Sequence, residues 1–361
     1  MNWKVLAALT IIIAFAAAFS ATAVNAFPFP KIVGQVYTID NALSGNNVLV
    51  FTRWSDGSLT GPATYSTGGT GTGIPFHSQG AVALSEDEQW LMVVDAGSNQ
   101  ISVFKVQWYT LTLTDVESSK GTTPVSVTIN DNLVYVLNSG SGNIAGFWLS
   151  KTGTLTYIAG SNKAVTGTSP EQIGFNPEGN VLVVTAKGSN QIDTYTVHNG
   201  AASASMTTAS AGMGPYGFAF NCKGYLIDSE AASASASSYA LRESGKLTTI
   251  SGAISNGPSG TPCWVATTEN GRIAYTGNAG GGISIYSIAH DGMLSLSSSV
   301  GASVSGAALD LALSDRSGFL YVLNGGSSSN VIGFRVAYDG SLYQVTSTTT
   351  FAGSAAGLAA T

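Results

Sequence analysis

The chain has 361 residues, of which only 9% are charged, and its formal net charge is −6. Typical globular domains contain about 25% charged residues. The 14 Lys and Arg residues are scattered without a basic stripe, which argues against nucleic acid as a partner.

The first 26 residues have the pattern of a secretory signal peptide. Lys4 precedes an apolar stretch over residues 5–19, which at about 15 residues is shorter than the roughly 20 needed to span a bilayer. Val24 and Ala26 place small side chains at positions −3 and −1 of a cleavage site. We therefore predict cleavage after Ala26 and a secreted, extracellular protein of residues 27–361 with no membrane attachment.

After this segment, one sequence unit recurs. It combines an apolar alternating strand, a strand ending in Asn or Asp, a strand ending in an aromatic residue, a Gly-containing turn and a Ser/Thr-rich last strand. The aromatics are spaced by about 43 to 53 residues, which is typical of four-stranded propeller blades. They are Phe51, Phe104, Phe147, Tyr195, Tyr239, Tyr286 and Phe334. The pattern predicts an all-β fold, a seven-bladed β-propeller with four-stranded antiparallel blades.

The turn after each aromatic is the clearest local signal in the unit. Five blades carry SDGSL (55–59), KTGTL (151–155), ESGKL (243–247), HDGML (290–294) or YDGSL (338–342). Asp-Gly between alternating apolar residues strongly indicates a β-hairpin. Blade two departs from this pattern with QWYTL (107–111), and blade four with HNGAA (198–202).

Two further segments complete the predicted topology. The Ala- and Ser-rich residues 231–238 fall where other blades join their second and third strands, so we predict a loop there. Residues 36–60 match the second and third strands of a blade that lacks a first strand, whereas residues 353–361 resemble a lone first strand. The C-terminal strand is therefore predicted to pair into blade one and close the ring, which leaves no free sheet edge.

This register sorts the polar residues between two faces. The loop face carries the loops between blades and the turns between second and third strands. The opposite face carries the remaining hairpins. Predicted on the loop face are Asp40, His77, Gln79, Asp95, Asn99, Asn138, Glu171, Gln172, Lys187, Tyr216, Glu230, Trp264, Asn278, Asp310 and Asn324. Predicted on the opposite face are Arg53, His198, Arg242, Arg272, His290 and Arg316.

The register also separates the two cysteines. Cys222 closes the first strand of blade five and Cys263 opens that of blade six, which places them about 20 Å apart at about 3.3 Å per residue. A disulfide requires Cα atoms within about 7 Å. We predict two buried free thiols.

Several stretches resemble extracellular members of the lactonase family, which includes propeller-type 6-phosphogluconolactonases and fungal carboxymuconate cyclases. They are residues 76–104, 123–147, 214–239 and 261–281. The resemblance implies a funnel on the loop face that holds a lactone or a muconate-type acid by arginines, with His or Glu transferring a proton. Here the arginines map to the opposite face or, for Arg335, to a third strand, so a neutral ligand is expected.

The resemblance implies roles for a small set of loop-face residues. His77 would be the catalytic base, Glu171 or Glu230 the second acid/base, and Lys187 the cation that holds developing negative charge. The residues expected to contact ligand are Asp95, Asn138, Tyr216, Trp264, Asn278 and Asn324. The ordinary role of asparagines at such strand ends is to satisfy backbone groups in the turn, and the two aromatics equally suit blade packing.

Two functions stay open on these grounds. One is an extracellular lactonase or carboxymuconate cyclase-like enzyme acting at the loop-face funnel. The other is a non-catalytic binding or scaffold propeller whose ligand is a glycan, a small molecule or a protein. In either case we predict a monomer without cofactor, and the carboxylates lack the spacing of a calcium loop, so we predict no metal site.

Overall fold

The computed structural model describes residues 29–75 and 78–361. The chain divides into Met1–Pro30 and a compact unit, Lys31–Thr361, and the second unit is the propeller. The predicted signal peptide and its cleavage site lie outside the described residues. Within the described residues, no helix is long and apolar enough to cross a bilayer.

The compact unit consists of seven antiparallel sheets, which confirms the predicted seven-bladed propeller. Strands are numbered in chain order, and each blade is given from its first strand to its last. Blade one has β31 (Ala356–Ala360), β1 (Ile32–Ile39), β2 (Asn47–Trp54) and β3 (Leu59–Ser66). Blade two has β4 (Val82–Leu84), β5 (Trp90–Asp95), β6 (Gln100–Gln107) and β7 (Thr110–Ser118). Blade three has β8 (Pro124–Asn130), β9 (Leu133–Asn138), β10 (Asn143–Leu149), β11 (Leu155–Tyr157) and β12 (Lys163–Ala164).

The remaining blades follow the same order. Blade four has β13 (Pro170–Phe175), β14 (Val181–Ala186), β15 (Gln191–His198), β16 (Ala201–Ala202) and β17 (Met206–Ala209). Blade five has β18 (Pro215–Phe220), β19 (Tyr225–Glu230), β20 (Ser235–Leu241) and β21 (Leu247–Ser255). Blade six has β22 (Pro262–Thr267), β23 (Ile273–Asn278), β24 (Gly282–Ile288) and β25 (Leu294–Ser303). Blade seven has β26 (Ala307–Leu313), β27 (Phe319–Gly325), β28 (Ser328–Val336), β29 (Leu342–Ser347) and β30 (Phe351–Ala352). The described residues also form short 3₁₀ turns at Lys187–Ser189, Gly257–Ser259 and Asp315–Ser317.

The C-terminal strand closes the ring as predicted. β31 pairs with β1, with Ala360 opposite Val36 and Ala356 opposite Ile39. The Thr361 amide then donates to the Gln35 carbonyl oxygen at 3.0 Å. Because the last strand of the chain is the first strand of blade one, the two ends of the propeller are joined by backbone hydrogen bonds.

Each predicted third-strand aromatic lies in a third strand, from Phe51 in β2 to Phe334 in β28, and all seven are at most 2% exposed. Second-strand tyrosines then tie neighbouring blades together. The Tyr135 hydroxyl of blade three donates to the Gly200 carbonyl of blade four at 2.8 Å, and Tyr321 of blade seven donates to Gly57 of blade one at 3.0 Å. Both acceptors lie in the turn between third and fourth strands. That turn needs a positive φ, 80° at Gly200, which glycine adopts without strain.

Two local predictions need correction. The loop predicted over residues 231–238 is wrong in its second half, because β20 begins at Ser235 and pairs along β19. The two cysteines are free, as predicted, but only Cys263 is buried. Cys222 is exposed because β18 ends at Phe220, which leaves Cys222 in the following turn.

Candidate functional site

The first strands surround a central channel with a cavity of about 410 Å³. A short segment, Ser78–Gly80, crosses its loop-face end. The Ser78 hydroxyl donates to the Val125 carbonyl of blade three at 2.7 Å. The Gln79 amide exchanges two hydrogen bonds, of 2.7 and 2.9 Å, with the backbone of Val265 in blade six. The segment therefore bridges blades on opposite sides of the ring and narrows the entrance to the channel.

Beside this segment lies the mouth cluster, which we define as Glu171, Lys187, Tyr216, Cys263 and Trp264. Glu171 is the second residue of β13, and Lys187 follows β14 in the same blade. The Lys187 Nζ lies 3.5 Å from Glu171 Oε1. The Glu171 side chain is 11% exposed and that of Lys187 is 43% exposed, so the pair opens to solvent on the lysine side.

The Glu171 carboxyl has an unusual proton affinity. Burial raises its pKa from the ordinary 4.5 to about 7, and the Lys187 ammonium opposes this rise. Burial outweighs the attraction to Lys187 in setting this pKa. Most of the Glu171 carboxyl is removed from water, whereas the Lys187 side chain is still largely solvated and its charge is therefore screened. A carboxyl with a pKa near 7 can accept and return a proton at neutral pH.

Two aromatics from neighbouring blades form a wall of the cluster. Lys187 Nζ lies 5.0 Å from the centre of the Tyr216 ring, and the Tyr216 and Trp264 rings meet edge to face at 5.7 Å. The Trp264 indole N–H donates to the Ser78 carbonyl oxygen at 3.1 Å. The Tyr216 hydroxyl is buried without a hydrogen-bond partner. A buried polar atom with no partner is rare, and here it belongs to the residue that contacts the charged pair.

Cys263 is a member of the cluster that the sequence predicted only as a buried free thiol. Burial raises the pKa of its thiol to about 12, Lys187 lowers it, and Glu171 raises it further. A thiol with so high a pKa is protonated at neutral pH and is a poor nucleophile. Its position directly before Trp264 in β22 was the available signal for its presence at the mouth.

The structure does not bring Glu230 into this cluster. Glu230 is fully buried at the end of β19, in blade five. Its carboxylate accepts hydrogen bonds from the Gly212 amide at 2.6 Å, the Ser235 hydroxyl at 2.6 Å and the Ser210 hydroxyl at 3.1 Å. The first and last of these donors belong to the loop before β18, and Ser235 belongs to β20. The Glu230 carboxylate therefore connects this loop to β20.

Four of the predicted ligand contacts are likewise buried and hydrogen-bonded to other protein groups. Asp95, Asn138, Asn278 and Asn324 each lie at or next to the end of a second strand and are at most 5% exposed. Asp95 accepts from Asn46 and Thr67, Asn138 donates to Ser119 O, Asn278 donates to Ser284, and Asn324 donates to Asn330. The bonds of Asn278 and Asn324 join the second strand to the third strand of the same sheet, whereas those of Asp95 and Asn138 reach residues of the preceding blade and its connecting loop.

His77, predicted as the catalytic base, lies outside the described residues. Deeper in the channel wall, Asp310 of β26 is 1% exposed. One Asp310 carboxyl oxygen accepts from the Leu358 amide of blade one at 3.0 Å. Burial raises the pKa of Asp310 to about 8, while the amides of Leu311, Leu358 and Gly80 act to lower it.

The positive charge in the mouth cluster is that of Lys187. Three arginines have contacts outside the cluster: Arg53 donates to the Val33 carbonyl, Arg316 pairs with Asp315 at 3.7 Å, and Arg335 stacks on Tyr343. Within residues 29–75 and 78–361, no cluster of three or more His, Cys, Asp or Glu side chains is placed to hold a metal ion.

Comparisons with known proteins agree with this architecture. The family model of the lactonase seven-bladed β-propeller matches residues 39–169. No curated protein sequence matches the chain. A candidate 6-phosphogluconolactonase of Bacteroides fragilis has 17% identity and a TM-score of 0.73, with 91% of this chain and 98% of that chain covered.

Two other solved structures show that proteins with different activities have this fold. The periplasmic gluconolactonase of Pseudomonas aeruginosa has 16% identity and a TM-score of 0.74, with 90% of this chain and 98% of that chain covered. Virginiamycin B lyase of Staphylococcus aureus has 13% identity and a TM-score of 0.53, with 75% and 84% covered. At these identities the likeness shows the fold, and a lyase and a lactonase share it. The chain is therefore a seven-bladed β-propeller that is similar to the lactonase propellers, in agreement with the resemblance found in its sequence.

Proposed function

We propose that the protein is an exported lactone hydrolase that opens a neutral lactone at the mouth cluster. The observation that carries the proposal is the Glu171–Lys187 pair, in which a buried carboxyl with a pKa of about 7 lies 3.5 Å from a partly exposed ammonium. The lactonase-type fold and the gluconolactonase among its structural neighbours support the same reaction class.

The proposed steps use the two charges in turn. The Glu171 carboxylate takes a proton from a water molecule as the water oxygen adds to the lactone carbonyl carbon. The carbonyl oxygen becomes an oxyanion, which the Lys187 ammonium stabilises. The ring C–O bond then breaks, and the leaving alkoxide takes the proton back from Glu171. Water and lactone are thus converted to a hydroxy acid, and the enzyme returns to its starting state.

The aromatic wall would position the charged pair. Tyr216 and Trp264 are each 1% exposed, so they present little ring surface to a ligand, and the Tyr216 ring centre lies 5.0 Å from the Lys187 ammonium. A phosphorylated or dicarboxylate substrate would meet one lysine and no arginine among the contacts described for the cluster. This supports neutral lactones as substrates rather than muconate-type anions.

A hydrolysis assay with matched variants tests the proposal. Glucono-δ-lactone and its 6-phosphate would be compared at pH 7.5, and Glu171→Gln should lower kcat/KM for the neutral lactone by about 100-fold or more. Lys187→Met should lower it by about 10-fold to 100-fold, and the exposed Glu243→Gln on the opposite face should not change it. The activity of the wild-type protein should rise with pH around 7 as Glu171 loses its proton.

His77→Ala belongs in the same series because the sequence predicts His77 as a base. Absence of hydrolysis across neutral lactones would reject the enzyme and favour a binding propeller, whereas full activity of Glu171→Gln would reject Glu171 as the base. The ion pair then would have a purely structural role.

A further inference from the structure

The turn between β6 and β7 in blade two differs from the same turn in every other blade. The other six blades place a glycine there with φ between 80° and 86°, namely Gly57, Gly153, Gly200, Gly245, Gly292 and Gly340. Blade two has a two-residue turn, Trp108 and Tyr109, between the paired residues Gln107 and Thr110. Trp108 has a φ of 51°, in a turn position where glycine is strongly preferred. A bulky residue held in this conformation is strained, and such strain often marks a functional position.

This turn also lacks the hydrogen bond to the preceding blade that three of its counterparts accept. In three blades the turn glycine accepts a hydrogen bond from a tyrosine of the preceding blade: Gly200 from Tyr135, Gly340 from Tyr275 and Gly57 from Tyr321. The corresponding tyrosine before blade two is Tyr37. Its hydroxyl donates instead to Gln35 in its own strand, at 2.6 Å. Blade packing therefore gives no reason for an aromatic pair at this turn.

The two side chains project into solvent together. Trp108 is 89% exposed and Tyr109 is 45% exposed, and their ring centres lie 6.5 Å apart at 58°. An exposed indole next to a second ring is an unfavourable arrangement in water unless a partner covers it.

The surroundings of the two rings are polar but uncharged. They border an open concavity of about 620 Å³ whose other lining residues are Gln89, Val106, Gln107 and Thr110. The side-chain amides of Gln89 and Gln107 have no hydrogen-bond partner among the described residues. Apolar rings beside unpaired amides match a ligand with one apolar face and a rim of hydroxyl groups.

We propose that Trp108 and Tyr109 form a binding platform for a neutral saccharide, separate from the mouth cluster. A sugar ring presents C–H groups to an aromatic face and hydroxyl groups to amides, which is the chemistry that this concavity offers. A stable protein interface buries about 800 Å² per partner, far more than two rings supply. An anionic membrane would require basic residues, and the lining contains none. Because the turn lies on the opposite face, a bound polysaccharide would leave the loop face open.

Affinity electrophoresis of the full protein through gels that contain a neutral polysaccharide tests this platform. The probes are a β-1,3-glucan, a β-1,4-mannan, a xylan and an α-glucan, and we expect at least one to retard the protein. Trp108→Gly and Tyr109→Ala should each weaken that binding by about tenfold or more. The matched control is Tyr338→Ala, which removes a 93% exposed tyrosine from the corresponding turn of blade seven.

Trp108→Gly also separates a binding role from a structural one. Glycine relieves the positive φ, so this variant should keep or raise the Tm while it loses saccharide binding. No retardation by any of the four polysaccharides, unchanged binding by both variants, or equal loss in Tyr338→Ala would overturn the proposal. Binding to neutral or anionic phospholipid vesicles in place of the polysaccharides would overturn it as well.

Discussion

Replacing Glu171 with glutamine should change how the stability of the protein depends on pH. The folded protein holds the Glu171 proton up to a pKa of about 7, whereas the unfolded chain releases it near 4.5. The stabilisation is therefore fully present below pH 4.5 and is lost as pH rises through 7. A pKa raised by this amount corresponds to about 3 kcal/mol, at about 1.4 kcal/mol for each pH unit.

The variant cannot titrate at this position, so its stability relative to the wild-type protein should rise by about 3 kcal/mol between pH 4 and pH 8. Urea unfolding of both proteins at four pH values measures the difference, and titrations elsewhere in the molecule cancel. Glu243→Gln, which removes an exposed carboxyl, is the matched control. A flat or falling difference for Glu171→Gln would show that Lys187 holds the carboxyl ionised, which would refute the assignment of burial as the dominant cause.

Lys187→Met extends the same test. At 3.5 Å and with much of the lysine in water, the attraction between the two charges is about 1 kcal/mol. Its removal should raise the pKa of Glu171 further, so the loss of stability in this variant should extend about one pH unit higher. Loss of stability over the same pH range as in the wild-type protein would indicate that the two side chains do not interact in solution.

Four other changes have defined outcomes. Tyr216→Phe removes a buried hydroxyl without a partner, so the free energy of unfolding should rise by about 1 kcal/mol in urea titrations; a fall would show that the hydroxyl is bonded. Asp228→Val should stabilise the protein by about 2 kcal/mol at pH 7 and less at pH 4, because burial, and then the Glu230 carboxyl, raise the pKa of Asp228, whose two carboxyl oxygens have no hydrogen-bond partner among the described residues; a loss at pH 7 would contradict this. A thiol reagent should modify Cys222 in the folded protein and Cys263 only after unfolding, and a reducing agent should leave the Tm unchanged; native reaction of both thiols would place Cys263 at the surface. Deleting β31 should abolish soluble expression by exposing the edge of β1, and a soluble, cooperatively unfolding truncated chain would count against ring closure.

Sequence patterns predicted the architecture because the relevant interactions repeat at short range. The Gly-containing turns and the third-strand aromatics recur at similar spacing, so the position of one blade in the sequence predicts the positions of the others. Phe147 and Tyr286 are fully buried in equivalent strands because each completes the same local sheet. The repeat breaks down at blade two, and QWYTL there correctly identified an irregular turn.

The same patterns did not distinguish between carboxylates on the loop face. Glu171 and Glu230 both follow from the register as loop-face acids, yet they have different surroundings. Glu230 accepts hydrogen bonds from donors of its own blade, including Ser235, in a segment that composition alone suggested was a loop. Glu171 has Lys187 as its charged partner and aromatic neighbours from other blades.

The sequence by itself determined the number of blades, their four-stranded repeat and the closing strand. Only the tertiary structure decided which of the predicted loop-face residues meet, because Glu171, Tyr216 and Trp264 belong to three consecutive blades and meet where the first strands of these blades pack side by side. It also decided their chemistry. Burial and the distance to Lys187 set the pKa of Glu171, and both depend on side chains far apart in the chain.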